Sequence, residues 1–318
     1  MALVLLFVAL APALFIELPR KFLWMSAAYP FVAYQLLWGG SIWLPVMAAA
    51  GFGVGYLGYL IFRNINGLAS VIAALLGPLL WWLFATGPLT GALSSAMPVG
   101  LEFVSSDRFG GFMISLIIGF TGIALSLPLG ILLALGRKSD MLIVKTVCVI
   151  FIEFIRGVPL IALLFTASLL LNYFLPPGTS FDLILRVIIM VTLFAAAYIA
   201  EVVRGGLAAL PLGQYEAADS LGLDYWKAMR LIILPQALKI SIPGIVNTFI
   251  GLFKDTTLVV FIGLLDPIGL SNAIRADTDW NGIYWELFIF IAALFFVFCF
   301  GISRYSMYLE RKLNRGHG

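Results

Sequence analysis

Three pairs of charged residues lie in stretches of the sequence that are otherwise apolar. They are Glu153 with Arg156, Glu201 with Arg204, and Lys254 with Asp255. An ionised side chain at the centre of a bilayer costs at least about 2.5–3.5 kcal/mol unless it is paired or faces a cavity. Such residues therefore indicate either structural ion pairs or a site for a polar or charged solute.

The first pair has an i,i+3 spacing, which puts Glu153 and Arg156 on one face of a helix, where they can pair. Gly157 and Pro159 follow at once and predict that the helix breaks there. Broken helices with free backbone groups recur where transporters bind their solutes. Arg156 is therefore a candidate for holding a substrate carboxylate, and a structural ion pair at a subunit interface is the alternative.

The second pair repeats the same pattern, E-x-x-R-G, at Glu201 and Arg204. This pattern ends a predicted span immediately before a polar loop at 207–235. We interpret it as a structural ion pair that positions the loop.

Four more polar residues lie in a later apolar stretch, namely Asn247, Thr248, Lys254 and Asp255. Because Lys254 and Asp255 are adjacent, their side chains point in different directions, and we expect them to face a polar cavity or a partner subunit. Asn247 and Thr248 can present hydrogen-bonding groups to a ligand or to a neighbouring helix. Together with Glu153 and Arg156, these four residues form the candidate substrate pathway.

The composition shows what must position these residues. Of the 318 residues, 62% are hydrophobic and 11% are charged, and the mean hydropathy is +1.08. Soluble domains are about 45–50% apolar and about 25% charged, so this chain needs the lipid bilayer around it. The single histidine and two separated cysteines argue against histidine catalysis and zinc binding. We predict no catalytic residue, no metal site and no nucleic-acid partner.

Apolar runs of about 20 residues can cross a bilayer. They predict about eight spans, near 2–18, 41–62, 68–86, 112–136, 143–172, 183–203, 236–262 and 284–308. The segment 22–38 is rich in aromatic residues and contains Pro30, which favours an interfacial or periplasmic-side helix. The first run lacks a basic leader and a cleavage site, so we interpret it as a retained span. The distribution of Lys and Arg places both termini in the cytoplasm by the positive-inside rule.

The sequence therefore predicts an all-α, polytopic transmembrane bundle with two parts. Residues 1–104 form an accessory region of about three spans, and residues 105–318 form a core of about five spans. The core contains the polar loop, at 207–235.

The polar loop carries the most specific motif in the chain, E-A-A-x3-G-x9-I-x-L-P. Its fixed positions are Glu216, Ala217, Ala218, Gly222, Ile232, Leu234 and Pro235. Pro211 and Gly213 end the preceding span, and Glu216 then lies in the first turn of a short helix, where an acidic side chain is favourable. Gly222 permits a turn, and Pro235 starts or kinks the next helix. These features predict a short surface helix that another protein can bind.

This motif resembles the EAA loop of binding-protein-dependent ABC importers. Residues from about 110 to 312 resemble permeases of the polar-amino-acid branch, of the histidine/glutamine type, in segments such as SLPLGILLALGR (126–137), FIEFIRGVPL (151–160) and the GQYEAA sequence at 213–218. The longer N-terminal part is similar to permeases for L-amino acids of broad specificity or for glutamate, glutamine, aspartate and asparagine.

The resemblance implies the ABC type I importer permease fold and a transport subunit that is not an enzyme, in a bacterial inner membrane. Its implied partners are a second permease (another copy or a different chain), two ATPase subunits, a periplasmic amino-acid-binding protein and an amino-acid substrate. The seven motif residues would couple this chain to an ATPase, with alternating access as the mechanism. The sequence contains no G-x4-G-K-[ST] motif, so we expect ATP and Mg on the partner ATPase and no cofactor on this chain.

Two other classes of function are alternatives. An ion-gradient-driven secondary amino acid transporter has similar spans but no use for an EAA loop. An integral membrane enzyme needs a polar catalytic cluster, which the sequence does not contain.

Overall fold

A computed structural model describes residue 5 and residues 19–169, 173, 182–280 and 282–314. The chain divides into two compact units, Met1–Arg108 and Phe109–Gly318. In the described residues of both units the architecture is almost entirely α-helical. Apart from residue 5, the predicted span 2–18 lies outside the described residues.

The first unit contains four described α-helices and one two-residue strand pair. The helices are α1 (Leu23–Trp38), α2 (Trp43–Phe62), α3 (Gly67–Leu80) and α4 (Thr86–Ala96), with a π-helical turn at Trp81–Ala85 between α3 and α4. Strand β1 (Gly40–Ser41) pairs antiparallel with β2 (Gly100–Leu101). The predicted interfacial segment 22–38 is therefore a helix.

Helices α2 and α3 of the first unit pack closely along small residues. A Cβ atom at Gly55 would lie 2.6 Å from the ring of Pro78, so only glycine allows this approach. The indole N–H groups of Trp81 and Trp82 donate to the carbonyls of Met47 and Ala48. These bonds satisfy the indole groups inside an apolar environment.

The second unit contains nine α-helices within its described residues. They are α5 (Phe112–Arg137), α6 (Leu142–Gly157), α7 (Leu160–Leu169), α8 (Leu183–Ala208), α9 (Gly213–Ser220), α10 (Tyr225–Ala228), α11 (Leu234–Asp255), α12 (Pro267–Ala276) and α13 (Trp285–Asn314). A π-helical turn at Met229–Ile233 joins α10 to α11, and 3-10 turns lie at Thr256–Ile262 and Thr278–Trp280.

The core of the second unit is the contact of α5, α8 and α11. Gly130 of α5 lies so close to α8 that a Cβ atom there would be 2.6 Å from Cγ2 of Ile199. Gly206 of α8 likewise lies directly against Ser241 of α11. Small residues let these helices approach closely, which is how helices associate without a hydrophobic driving force between them.

Six described helical segments are long and apolar enough to cross a membrane, and a seventh is possible if one bent pair forms a single span. The bent pair is α6 with α7, whose axes differ by 102°. The predicted span 143–172 is thus two helices, and the break falls after Gly157 and before Leu160, as the Gly157 and Pro159 pattern predicted. Six or seven spans among the described residues are roughly consistent with the prediction of about eight.

Candidate functional site

The predicted surface helix in the polar loop is α9. Its first turn contains Glu216, and both Glu216 and Ala217 are exposed, whereas Ala218 is fully buried. A larger side chain at 218 would push the helix off the bundle. The helix therefore buries Ala218 and packs Tyr215 against the core, while Glu216 and Ala217 face outward.

Gly222 ends α9 in a Schellman motif. The N–H of Leu223 donates to the carbonyl of Ala218 (3.2 Å), and the N–H of Gly222 donates to that of Asp219 (2.9 Å). The φ angle of Gly222 is +66°, a conformation that strongly favours glycine. No atom lies within 4 Å of a Cβ built there, so the requirement for glycine comes from the backbone alone.

The chain then returns to the bundle through α10, the π-helical turn and α11. The side chain of Asp224 caps α10 by accepting from the Lys227 N–H at 2.9 Å. This bond and the Lys227 ammonium hold the pKa of the Asp224 carboxyl below its usual value. Pro235 lies in the first turn of α11, where its missing N–H is harmless. Ile232 and Leu234, two fixed positions of the motif, pack against the buried core. Ile233 between them is part of that core, although the motif does not fix its residue type.

The E-x-x-R-G residues of α6 and α8 meet in one charge cluster. Nη1 of Arg137, at the end of α5, lies 2.7 Å from Oε1 of Glu153 and 2.6 Å from Oε1 of Glu201. Arg204 holds Glu201 through its Nη2 at 2.9 Å and through two hydrogen bonds from Nε. The predicted contact of Glu201 with Arg204 is therefore present.

The expected pairing of Glu153 with Arg156 was wrong. Glu153 pairs with Arg137, and the carboxylate that Arg156 contacts is Glu201, at 3.8 Å. The physical reason is that Arg137, from another helix, lies between both glutamates. Arg156 also lies over the ring of Tyr198, 5.5 Å from its centroid, and its Nε is buried without a hydrogen-bond partner.

A pocket of about 230 Å³ opens between α8 and α11, beside this cluster. Its walls are Phe194, Ala195, Tyr198, Thr248, Gly251, Leu252 and Asp255. Of the candidate substrate-pathway residues, Thr248 and Asp255 line the pocket and Arg156 touches its Tyr198 wall. The Thr248 hydroxyl donates to the carbonyl of Gly244 at 2.9 Å and keeps its lone pairs for another donor.

The other three candidates are placed elsewhere. Asn247 and Lys254 are exposed and do not line the pocket, and Glu153 belongs to the charge cluster. In the ranges that the structure describes, no group of three or more His, Cys, Asp or Glu side chains is arranged to hold a metal ion.

Sequence reasoning missed Arg137, Lys138, Tyr198 and Tyr215. Nζ of Lys138 donates to the hydroxyl of Tyr215 at 2.8 Å and lies 4.4 Å from the centre of its ring. Both basic residues directly follow the predicted span 112–136, where the sequence indicates only on which side of the membrane they lie. The aromatic residues carried no separate signal in a chain that is 14% aromatic.

All of these elements lie in the segment that matches a known protein family. The family described as "binding-protein-dependent transport system inner membrane component" matches residues 126–315. This range includes the polar loop, the charge cluster and the pocket.

Curated relatives extend the similarity. The chain is 65% identical over 316 residues to the glutamate/glutamine/aspartate/asparagine transport system permease protein BztC of Rhodobacter capsulatus, a match covering 98% of this chain and 72% of the relative. It is 52% identical over 244 residues to the inner membrane amino-acid ABC transporter permease protein YhdY of Escherichia coli K12, covering 76% and 64%. The chain thus spans only part of the length of both relatives.

A solved structure has a similar fold over part of this chain. The crystal structure of an amino acid ABC transporter with histidines matches with a TM-score of 0.56 and 32% identity. The match covers 63% of this chain and 91% of that chain.

Proposed function

The chain belongs to the family of binding-protein-dependent transport system inner membrane components, it is a permease of the amino-acid ABC importers with their type I fold, and we propose that its loop 207–235 couples transport to ATP hydrolysis on a partner subunit. The observation that carries the proposal is α9, which buries Ala218, packs Tyr215 against the core and exposes Glu216 and Ala217. A partner surface can grip such a helix without distorting the bundle.

We propose the following assembly around this multi-pass chain. Two ATPase subunits bind ATP and Mg and dock on the cytoplasmic loops, while this chain binds no cofactor. A second permease, either another copy or a different chain, completes the pathway, and a periplasmic binding protein delivers the amino acid. Both termini then face the cytoplasm of a bacterial inner membrane, consistent with the basic residues in the loops.

The transport cycle that we propose is alternating access. ATP binding would bring the ATPases and the coupling helices together and open the pathway outward, and hydrolysis would reset it. The close contacts of α5, α8 and α11 at Gly130 and Gly206 support movement of this core as one body.

The substrates that we propose are polar amino acids of the glutamate, glutamine, aspartate and asparagine type, because the BztC relative is named as a permease for these four amino acids. The pocket between α8 and α11 is our candidate for part of their path. Thr248 offers it a hydroxyl, and Arg156 behind Tyr198 places a positive charge beside it. A guanidinium suits the α-carboxylate that all these amino acids share.

The test of the coupling loop is Gly222→Asp in the complete transporter. A side chain at this positive φ angle strains the Schellman motif and misplaces α9. We expect uptake to be lost while the chain stays in the membrane, with the ATPase detached or no longer stimulated. Radiolabelled uptake and co-purification of the ATPase measure both effects.

Gly67→Asp is the matched control. Gly67 begins α3 and also has open space around a built Cβ, but its φ angle is not positive. This variant should transport normally. Normal uptake by Gly222→Asp would remove the coupling assignment.

A further inference from the structure

We propose that Arg137 and Lys138, adjacent basic residues at the end of α5, are positioning residues that connect the coupling loop to the bent helix pair α6–α7. The inference rests on the proposed function of the loop. It assigns a role to two residues that neither the EAA motif nor the candidate pathway includes.

The first contact joins α5 to the coupling loop. Nζ of Lys138 donates to the Tyr215 hydroxyl at 2.8 Å and lies over the tyrosine ring. Tyr215 directly precedes Glu216, and its ring packs against the core. The main chain of Lys138 is itself fixed, because its N–H bonds to the carbonyls of Ala134 and Leu135. A displacement of α9 at Tyr215 therefore acts on the end of α5.

The second contact joins α5 to the bent pair. Nη1 of Arg137 bridges Glu153 of α6 and Glu201 of α8. Glu153 lies in the last turns of α6, just before the 102° bend at 158–159. Arg137 thus ties the segment that bends to the helix that anchors the core.

The two contacts act in series because Arg137 and Lys138 are neighbours in the chain. Energetic coupling between distant sites travels through contiguous contacts of packed side chains and ion pairs. Here the contacts run from α9 through Lys138 and Arg137 to Glu153 and the bend. The backbone also joins the loop to α8 and α11, but a displacement transmitted through the backbone does not involve Arg137 or Lys138.

The chain offers a way to remove these contacts without unfolding the bundle. Lys138 and Glu153 are exposed, and exposed pairs of this kind contribute little to stability. Substitutions of either residue therefore test coupling more than folding. Lys145, an exposed lysine on α6 outside the two contacts, is the matched control.

The experiment uses the complete transporter in proteoliposomes, with glutamate, glutamine, aspartate and asparagine supplied in turn. Amino acid imported per ATP hydrolysed is measured for Lys138→Gln, Lys138→Arg, Glu153→Gln, Lys145→Gln and the Lys138→Gln/Glu153→Gln double variant. We expect Lys138→Gln to lower this ratio by about fivefold or more, the scale of a typical coupling free energy. Basal ATPase activity should stay unchanged, and Lys138→Arg should restore the ratio.

The double variant tests whether the contacts lie in series. If they do, it should be no worse than either single variant, whereas independent contacts should give losses that multiply. An unaltered ratio in Lys138→Gln, an equal loss in Lys145→Gln, or multiplied losses would each overturn the proposal.

Gly222→Asp, measured in the same assay, tests the coupling function of the loop separately from the connection through α5. Lost uptake in Gly222→Asp together with an unaltered ratio in Lys138→Gln overturns only the connection through α5. Normal uptake in Gly222→Asp overturns the coupling function and this inference with it.

Discussion

The pattern E-x-x-R-G occurs twice in this chain, and the two copies form different contacts. In α8, Glu201 and Arg204 pair with each other at 2.9 Å. In α6, Glu153 pairs with Arg137 of another helix, and Arg156 turns to Glu201 and Tyr198. The same residue types at the same spacing thus give a local pair in one helix and two long-range contacts in the other.

The two copies differ because an ion pair within a single helix contributes little free energy. An i,i+3 ion pair stabilises a helix by only about 0.2–0.5 kcal/mol, which a better-placed partner can outweigh. Arg137 is such a partner for Glu153, since it already lies against Glu201. Spacing permits an ion pair, but the surrounding helices decide whether it forms.

Substitution of the glutamate in each copy should give the largest difference in stability between the two copies. Glu201 is 17% exposed and contacts three arginines, so Glu201→Gln leaves Arg137 and Arg204 without their short contacts to it. Removing one partner of a fully buried pair costs about 3–5 kcal/mol, but Arg204 is 48% exposed and Arg137 keeps Glu153, so the expected cost is about 1–3 kcal/mol. We expect less assembled transporter and a lowered thermal unfolding midpoint in detergent.

Glu153→Gln is the comparison variant. The Glu153 side chain is 53% exposed, and Arg137 keeps Glu201 when Glu153 is neutral. Its cost should be about 0–1 kcal/mol, as for exposed pairs. Equal destabilisation by Glu201→Gln and Glu153→Gln would show that the two glutamates contribute equally to the stability of the charge cluster.

The fourth residue of the first copy gives an intermediate effect, on transport. In Arg156→Gln, Glu201 retains Arg137 and Arg204, so assembly and basal ATPase activity should persist. If Arg156 attracts the substrate carboxylate, losing a charge-assisted bond of about 1.5–3 kcal/mol weakens transport tenfold or more. Uptake kinetics for all four amino acids measure this loss. A fall in assembled complex with normal transport per complex would instead assign Arg156 a structural role.

The fourth residue of the second copy gives the smallest effect. Arg204 is 48% exposed, and Glu201 keeps Arg137 in Arg204→Gln. The expected cost is about 0–1 kcal/mol, with uptake close to that of the unaltered permease. Thermal unfolding and uptake check this expectation. A loss as large as that of Glu201→Gln would make Arg204, and not Arg137, the main partner of Glu201.

The local features of the polar loop were predictable because neighbours in the sequence determine them. Gly222 at positive φ, Pro235 in the first turn of α11 and Glu216 in the first turn of α9 all follow from backbone rules. The break between α6 and α7 follows in the same way from Gly157 and Pro159. The choice of Arg137 as the partner of Glu153 has no such signal, and the spacing with Arg156 pointed to the wrong residue.

The sequence by itself determined the membrane environment, most of the long apolar helices, the α6–α7 break and the EAA motif. These depend on composition and on interactions within a few residues of the chain. Only the tertiary structure decided that Arg137 bridges Glu153 and Glu201, that Lys138 meets Tyr215, and that Thr248 and Asp255 share a pocket with Tyr198. These contacts join residues far apart in the chain, and their existence depends on how closely α5, α8 and α11 pack at their glycines.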